Sequence, residues 1–193
     1  MFKKETFKVE TDPEELALNM VLAQLGKRGK RIGSGSYGEV YGAPNNDVVY
    51  KIGDATDNDG YLAFINTLEK QKTHNPFFPK IYGVRYLKKE HHWRDQVYFV
   101  VAMEKLKRLS SKHMPVVRFF NAELENDDDA YDLDQANKLL GVKRVIPERL
   151  KKAITVLKTA KSTNNNRCGV DWDLHEGNFM QRGNQIVITD PLS

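Results

Sequence analysis

Apolar residues recur along this chain in two rhythms, one of about four residues and one of two. Over residues 13–25, Leu16, Met20, Val21 and Leu25 predict a helical stripe. Thr11-Asp12-Pro13-Glu14-Glu15 before it supplies a cap, a first-turn proline and acids at the positive end of the dipole, and Gly26 ends it. From Arg31 the rhythm shortens. Val40, Val48, Val49 and Ile52 lie in β-prone runs broken at Pro44-Asn45-Asn46-Asp47, which predicts a hairpin. Residues 59–72 return to helical spacing through Leu62, Ile65 and Leu68. Residues 80–87 and 96–104 predict two more strands, and the near-continuous apolar run of the second places it centrally in a sheet.

After Leu106 the chain becomes helical and polar. One helix is expected over 129–140, closing at Gly141, and another from Pro147 with Leu150, Ile154 and Leu157 at core spacing. Residues 162–166 read as a loop, Arg182-Gly183-Asn184 as a turn, and Gln185-Ile186-Val187-Ile188-Thr189 as a strand leading into Asp190. No internal repeat is visible. The order divides the chain into a helical extension (1–28), a strand-rich lobe (29–104) and a helix-rich lobe (105–193), with a hinge expected near 104–106.

Composition narrows the class. Of 193 residues, 40% are hydrophobic and 10% aromatic, a globular balance. No apolar run approaches the roughly 18–20 residues of a membrane span, and Met1-Phe2-Lys3-Lys4-Glu5 is too mixed for an export signal, so no membrane partner is expected. The single cysteine, Cys168, excludes an internal disulfide and fits a reducing cytoplasm; its bland role is a part-buried hydrophobe. The formal net charge is +4, with basic clusters at 27–31 and 105–108 against an acidic run at 123–129. These read as solvated surface, and without aromatic interleaving a nucleic-acid partner is not expected.

Three stretches carry candidate chemistry. Gly33-Ser34-Gly35-Ser36-Tyr37-Gly38 is a GxGxxG run, but a hairpin follows it, so a dinucleotide-binding strand-to-helix turn is excluded. It suits a strand-turn-strand flap over phosphates, or a tight hairpin with no ligand. Lys51, among Val48-Val49-Tyr50 and Ile52, is costly to bury without an anion; an edge-strand lysine in water is the alternative. Asp171-Trp172-Asp173-Leu174-His175-Glu176-Gly177-Asn178-Phe179-Met180 places Asp173 and Asn178 five apart, with Asp190 after the next strand. Two oxygen donors suit magnesium, which keeps water and phosphate oxygens, while a carboxylate off the metal orients an attacking hydroxyl. His175 either stabilises transferred charge or hydrogen-bonds a carbonyl.

The sequence of glycine flap, strand lysine, Asp-x4-Asn and strand-Asp resembles the protein-kinase-like phosphotransferases over about residues 30–193. "DLHEGNFM…ITDPLS" and Phe78-Pro79-Lys80-Ile81-Tyr82 are similar to the early serine/threonine kinases of T-seven-type bacteriophages. The resemblance implies an α+β, truncated two-lobed fold: an antiparallel-sheet N-lobe with one helix and a reduced, mostly helical C-lobe. It implies ATP and magnesium as cofactors and host proteins as substrates, with no oligomeric state indicated. Asp173 would be the catalytic aspartate, with Lys51, His175 and Asn178 assisting; Asn178 and Asp190 would hold the metal. The nucleotide would meet Gly33, Ser34, Gly35, Ser36, Tyr37, Gly38, Val40, Val49, Lys51, Met103, Glu104, Leu106 and Met180. Glu69 is favoured as the acid paired with Lys51, against Asp57 and Asp59, because it follows Leu62 and Ile65 at helical offsets.

The chain departs from the wider family where Asp171 and Trp172 replace a histidine and an arginine, and Pro191 replaces a phenylalanine. It stops at Ser193, so no activation segment for docking a peptide is expected. The rival readings are a small-molecule kinase, with which Asp-Leu-His-x-Gly-Asn is shared, and a weakly catalytic nucleotide-binding module acting by binding a host protein.

Overall fold

The computed structural model describes residues 3–35, 38–55, 59–93, 95–125, 148–163 and 170–192. The chain divides into two compact units: Met1–Asn58 with Lys80–Lys105, and Asp59–Pro79 with Leu106–Ser193. The mixed α and β content, with the sheet in the N-terminal portion and few helices, agrees with the α+β class expected.

The first unit is built on a six-stranded sheet. Its strands are β1 (Lys3–Lys8), β2 (Lys30–Gly35), β3 (Gly38–Gly42), β4 (Val48–Asp54), β5 (Ile81–Lys89) and β6 (Gln96–Glu104), in the order β1-β5-β6-β4-β3-β2. The apolar run of β6 is interior, as its composition predicts. Strands β2 to β6 pair antiparallel with their neighbours, but β1 joins β5 in parallel, Lys3 opposite Gly83 through Lys8 opposite Lys88. That corrects the purely antiparallel expectation and adds an unforeseen strand. The cause is visible in Lys3-Lys4-Glu5-Thr6-Phe7-Lys8: an edge strand with almost no buried side chain needs no apolar alternation, and its lysines discourage further pairing.

Helix α1 (Pro13–Leu25) begins where Asp12 accepts the amides of Glu14 and Glu15 at 2.8 and 3.3 Å, and ends at Gly26 with φ of 67°. It is no separate extension. Ala17, Val21 and Leu25 pack with Tyr41, Ile52, Leu87 and Val100 of the sheet and with Ala43 just past β3, while Leu16 and Met20 lie at the margin. The stripe thus centres on Ala17, because a small side chain lets the helix backbone approach the sheet.

The second unit contains α2 (Asp59–Glu69), α3 (Met114–Glu125), α4 (Glu148–Thr163) and the antiparallel sheet β7 (Lys107–Arg108), β8 (Phe179–Arg182) and β9 (Gln185–Ile188). Residues 59–79, expected in the strand-rich lobe, group here, and the reason is chemical. Phe64 meets Phe78 edge-on at 5.4 Å, Phe77 meets Phe120 at 6.1 Å, and Phe120 meets Phe179 at 5.9 Å. Arg182 donates to the carbonyls of Pro76 and Phe78, Ile188 donates to that of Phe77, and Asn75 donates to that of Arg149. A helical apolar pattern announces that α2 is buried, not against which partner.

Helix α4 runs through residues 162 and 163, where a loop was expected; the helix expected over 129–140 and the cysteine Cys168 lie outside the described residues. Among the described residues no helix is long and apolar enough to cross a membrane.

Candidate functional site

The predicted residues are shared between the two units. In the first, pairing puts Val40 opposite Lys51, Lys51 opposite Val101 and Val49 opposite Met103. Residues two apart on a strand share a face, so Val40, Val49, Lys51 and Met103 lie on one face of the sheet, with Gly38 beside them. The other face, through Tyr41, Ile52 and Val100, is the one α1 covers. Lys51 is 8% exposed, so its ammonium stem is enclosed rather than lying on a watery edge. Gly38 fits closely: a Cβ there would lie 2.7 Å from the Ile52 carbonyl oxygen and 3.3 Å from Lys51 Cε. Gly35 has open space and Gly33 only ordinary contact, 3.8 Å, with Val40. Ser34 is exposed near the end of β2, and Ser36 and Tyr37 lie outside the described residues.

Behind the hairpin, Arg31 of β2 ion-pairs with Glu39 of β3, and the Tyr41 hydroxyl donates to the other Glu39 oxygen at 2.6 Å. Hydrogen bonding by Tyr41, then by Arg31, holds the Glu39 carboxyl below its ordinary range, while burial pushes the Tyr41 phenol up to about 12. At the end of β6, Glu104 uses its backbone amide and its carboxylate on the same residue: the amide donates to the Lys80 carbonyl at 3.0 Å, and Oε1 accepts the Lys80 amide at 2.8 Å.

In the second unit the polar run near the C-terminus folds into a hydrogen-bonded knot. The Asp173 amide donates to the Pro191 carbonyl at 2.9 Å, next to a bridge between Trp172 and Leu192. Asn178 Nδ2 donates to the Asp173 carbonyl at 2.7 Å, and the Asn178 carbonyl accepts both the amide and the hydroxyl of Thr189, each at 2.9 Å. Asp190 therefore sits between a residue bonded to Asn178 and a residue bonded to Asp173. Asn178 is buried, and committing its nitrogen to Asp173 turns its side-chain oxygen, the only end able to ligate a cation, the other way.

His175 caps the short helical turn Glu176–Asn178: its Nδ1 accepts the Gly177 amide at 3.0 Å. An accepting Nδ1 puts the neutral ring's proton on Nε2, which lies 3.5 Å from Asp173 Oδ1. The imidazole thus presents an N–H toward the candidate catalytic carboxylate. Met180 is half-buried on β8, opposite Val187 and Arg108.

Asp173, His175, Asn178 and Asp190 are brought together by these bonds, while Lys51 belongs to the first unit and Glu69 to the second. Leu106 belongs to the second unit, whereas Met103 and Glu104 belong to the first. Asp57 lies outside the described residues, and Asp59 begins α2. Among the described residues no group of three or more His, Cys, Asp or Glu side chains could hold a metal ion. Asn178 and Asp190, the two residues expected to hold a metal, carry side-chain oxygens, the donor type that magnesium takes.

Three contributors escaped the sequence reading. Thr189, through its amide and hydroxyl, and Pro191, through its carbonyl, act by bonds that only the folded chain reveals. Lys161, on the last turn of α4, ion-pairs with Asp171 at 2.5 Å. It precedes that residue by ten positions, too far for any local spacing rule.

No protein-family model matches the chain, and no curated protein matches it. Solved structures similar to it include one described as a fructosamine-3-kinase from Haemophilus somnus 129PT, 14% identical over 93% of this chain and 72% of that one, with a TM-score of 0.39. A likeness of that degree carries neither residue roles nor a substrate across.

Proposed function

We propose that the chain is an ATP- and magnesium-dependent phosphotransferase of the protein-kinase-like kind, acting on a hydroxyl group. What supports this most is the knot in which one backbone scaffold carries Asp173, Asn178 and Asp190. A scaffold shared by an acid that could orient the acceptor hydroxyl and two residues with oxygen donors suits chemistry made of positioning and charge stabilisation. In this reading Asn178 and Asp190 hold magnesium, Lys51 meets the phosphates, and His175 adds a donor beside Asp173. Magnesium supplies charge neutralisation on the transferred phosphoryl oxygens.

The acceptor we infer is a serine or threonine hydroxyl of a protein, from the resemblance of the Asp-Leu-His-Glu-Gly-Asn-Phe-Met and Ile-Thr-Asp-Pro-Leu-Ser runs to phage early kinases. A small-molecule hydroxyl is the second reading. Asp-Leu-His-x-Gly-Asn is shared with small-molecule phosphotransferases, which favours it.

Incubating the purified chain with γ-labelled ATP, magnesium and a bacterial lysate tests both. Labelled protein bands are expected, lost on chelation and in Asp173→Asn and Asp190→Ala variants that melt like the wild type. Label confined to small molecules would select the second acceptor. Undiminished transfer by both variants would remove the site assignment.

A further inference from the structure

The Lys161 side chain makes two contacts at once. Its ammonium lies 2.5 Å from Asp171 Oδ1 and 4.8 Å from the centre of the Trp172 ring. Asp171 Oδ1 also accepts the Trp172 amide at 2.7 Å, so one carboxylate oxygen gathers a charged and a backbone donor. These contacts hold the Asp171 carboxyl below its ordinary range, the Lys161 hydrogen bond foremost. Stability does not explain the arrangement. Asp171 is 80% exposed at its side chain, and a pair so open to water and salt adds little to folding.

Its place in the chain does explain it. Trp172 is the residue before Asp173; its backbone is bridged to Leu192, and the next amide is bonded to the Pro191 carbonyl. The strand-like stretch 171–173 is thus gripped on one side by the segment following Asp190 and on the other by the last turn of α4. We infer that Lys161 is a positioning residue: by clamping Asp171 and stacking on Trp172 it fixes the backbone from which the Asp173 carboxylate projects. A cation over an indole face is directional as well as attractive, so the clamp sets the rotation of that stretch and not only its distance from α4. The inference rests on the phosphotransferase reading for its kinetic consequence, but not for the clamp itself.

Two readouts separate these. In a Trp93→Phe background Trp172 is the sole tryptophan, Trp93 being 93% exposed and remote in sequence from the loop. Lys161→Met keeps the stem and removes the charge; Lys161→Arg keeps both charge and stacking. With γ-labelled Mg-ATP and the lysate as acceptor, Lys161→Met is expected to lower the maximal transfer rate about tenfold or more, since small misplacements of reacting groups act on rate. KM for ATP should change less than about twofold, because the residue touches no phosphate in this reading. Lys161→Arg should recover most of the rate, and Asp171→Asn, which retains an acceptor for the Trp172 amide, should fall between. Lys161→Met should also shift the Trp172 emission maximum and reduce its quenching by iodide.

An unchanged emission in Lys161→Met would show that the clamp does not exist in solution. Shifted emission with a wild-type transfer rate would show a clamp that positions nothing, and overturn the inference. Should Lys161→Met fail to fold, Lys161→Arg and Asp171→Asn carry the same comparison. A wild-type chain that transfers no phosphate sinks the functional reading, and with it the positioning role, while the emission still decides whether Lys161 clamps Trp172.

Discussion

Three glycines of one motif should respond differently to alanine. A Cβ at Gly38 would sit 2.7 Å from the Ile52 carbonyl oxygen, backbone of the neighbouring β4 that cannot swing aside, and 3.3 Å from Lys51 Cε. To make room, β3 must move off β4 or the hairpin must twist, and overpacking of this kind costs about 1–3 kcal/mol. In a chain of this size roughly 2–4 °C of melting temperature accompanies each kcal/mol, so Gly38→Ala should melt about 2–12 °C below the wild type. Gly35→Ala meets nothing within 4 Å and Gly33→Ala only Val40 at 3.8 Å, and neither has a positive φ, so both should melt within about a degree of the wild type.

The kinetic assay then divides packing from ligand approach. If the hairpin covers phosphates, Gly33→Ala and Gly35→Ala should raise KM for ATP several-fold without a melting change, since added methyl groups keep the backbone from the ligand. Gly38→Ala should show both effects, because it also displaces the Lys51 stem. Scanning fluorimetry of the three variants and initial rates over an ATP series suffice. A Gly38→Ala variant with wild-type melting, beside a destabilised Gly35→Ala, would refute the packing argument. Unchanged KM in all three would refute the flap.

Glu39 and His113 give the fold two pH responses. Glu39 is held below its ordinary value of 4.5 by Tyr41 and Arg31, so its contribution is full above that value and is lost as pH falls through the lower folded one; Glu39→Gln should flatten the acid limb of melting temperature against pH. An unflattened limb would mean the Arg31-Glu39-Tyr41 cluster does not brace the hairpin in solution. His113 is buried, its Nδ1 has no hydrogen-bond partner among the described residues, and burial lowers it below 6.5. Its unfolded form takes up the proton first, so stability should be full above 6.5 and decline as pH falls below it; the decline should shrink in His113→Phe, measured by urea midpoints across that window.

How much of this was legible in the sequence depends on the range of the interaction. Asp12, Pro13 and Gly26 announce α1 because capping is settled within a turn, and the apolar run of β6 announces an interior strand because it lies between β5 and β4 with the successive residues Phe99, Val100 and Val101 all buried. Strand β1 was silent for the opposite reason: its stability comes from backbone pairing with a strand some eighty residues away, which leaves side chains unconstrained. Helix α2 shows an intermediate case. Its spacing gave its buried side, but the phenylalanines and the Arg182 and Asn75 bonds that place it with the second unit are scattered through more than a hundred residues.

The candidate site divides along the same line. Asp173 and Asn178 are readable as a pair because the Glu176–Asn178 turn, closed by His175, brings positions five apart into one hydrogen bond. Asp190 is readable because β8 and β9 form a tight hairpin about Gly183, returning the chain to Thr189, whose amide and hydroxyl both reach Asn178. Both are local closures, so residue spacing encodes them. Lys161 belongs to another element, and nothing between it and Trp172 fixes their separation in advance; only the position of α4 against the loop does. A motif scan therefore finds the groups that would do chemistry and misses the group that aims them. Positioning residues of this sort should be sought on the helices flanking a legible loop, where a cation shared by an acid and an indole marks a backbone held from both sides.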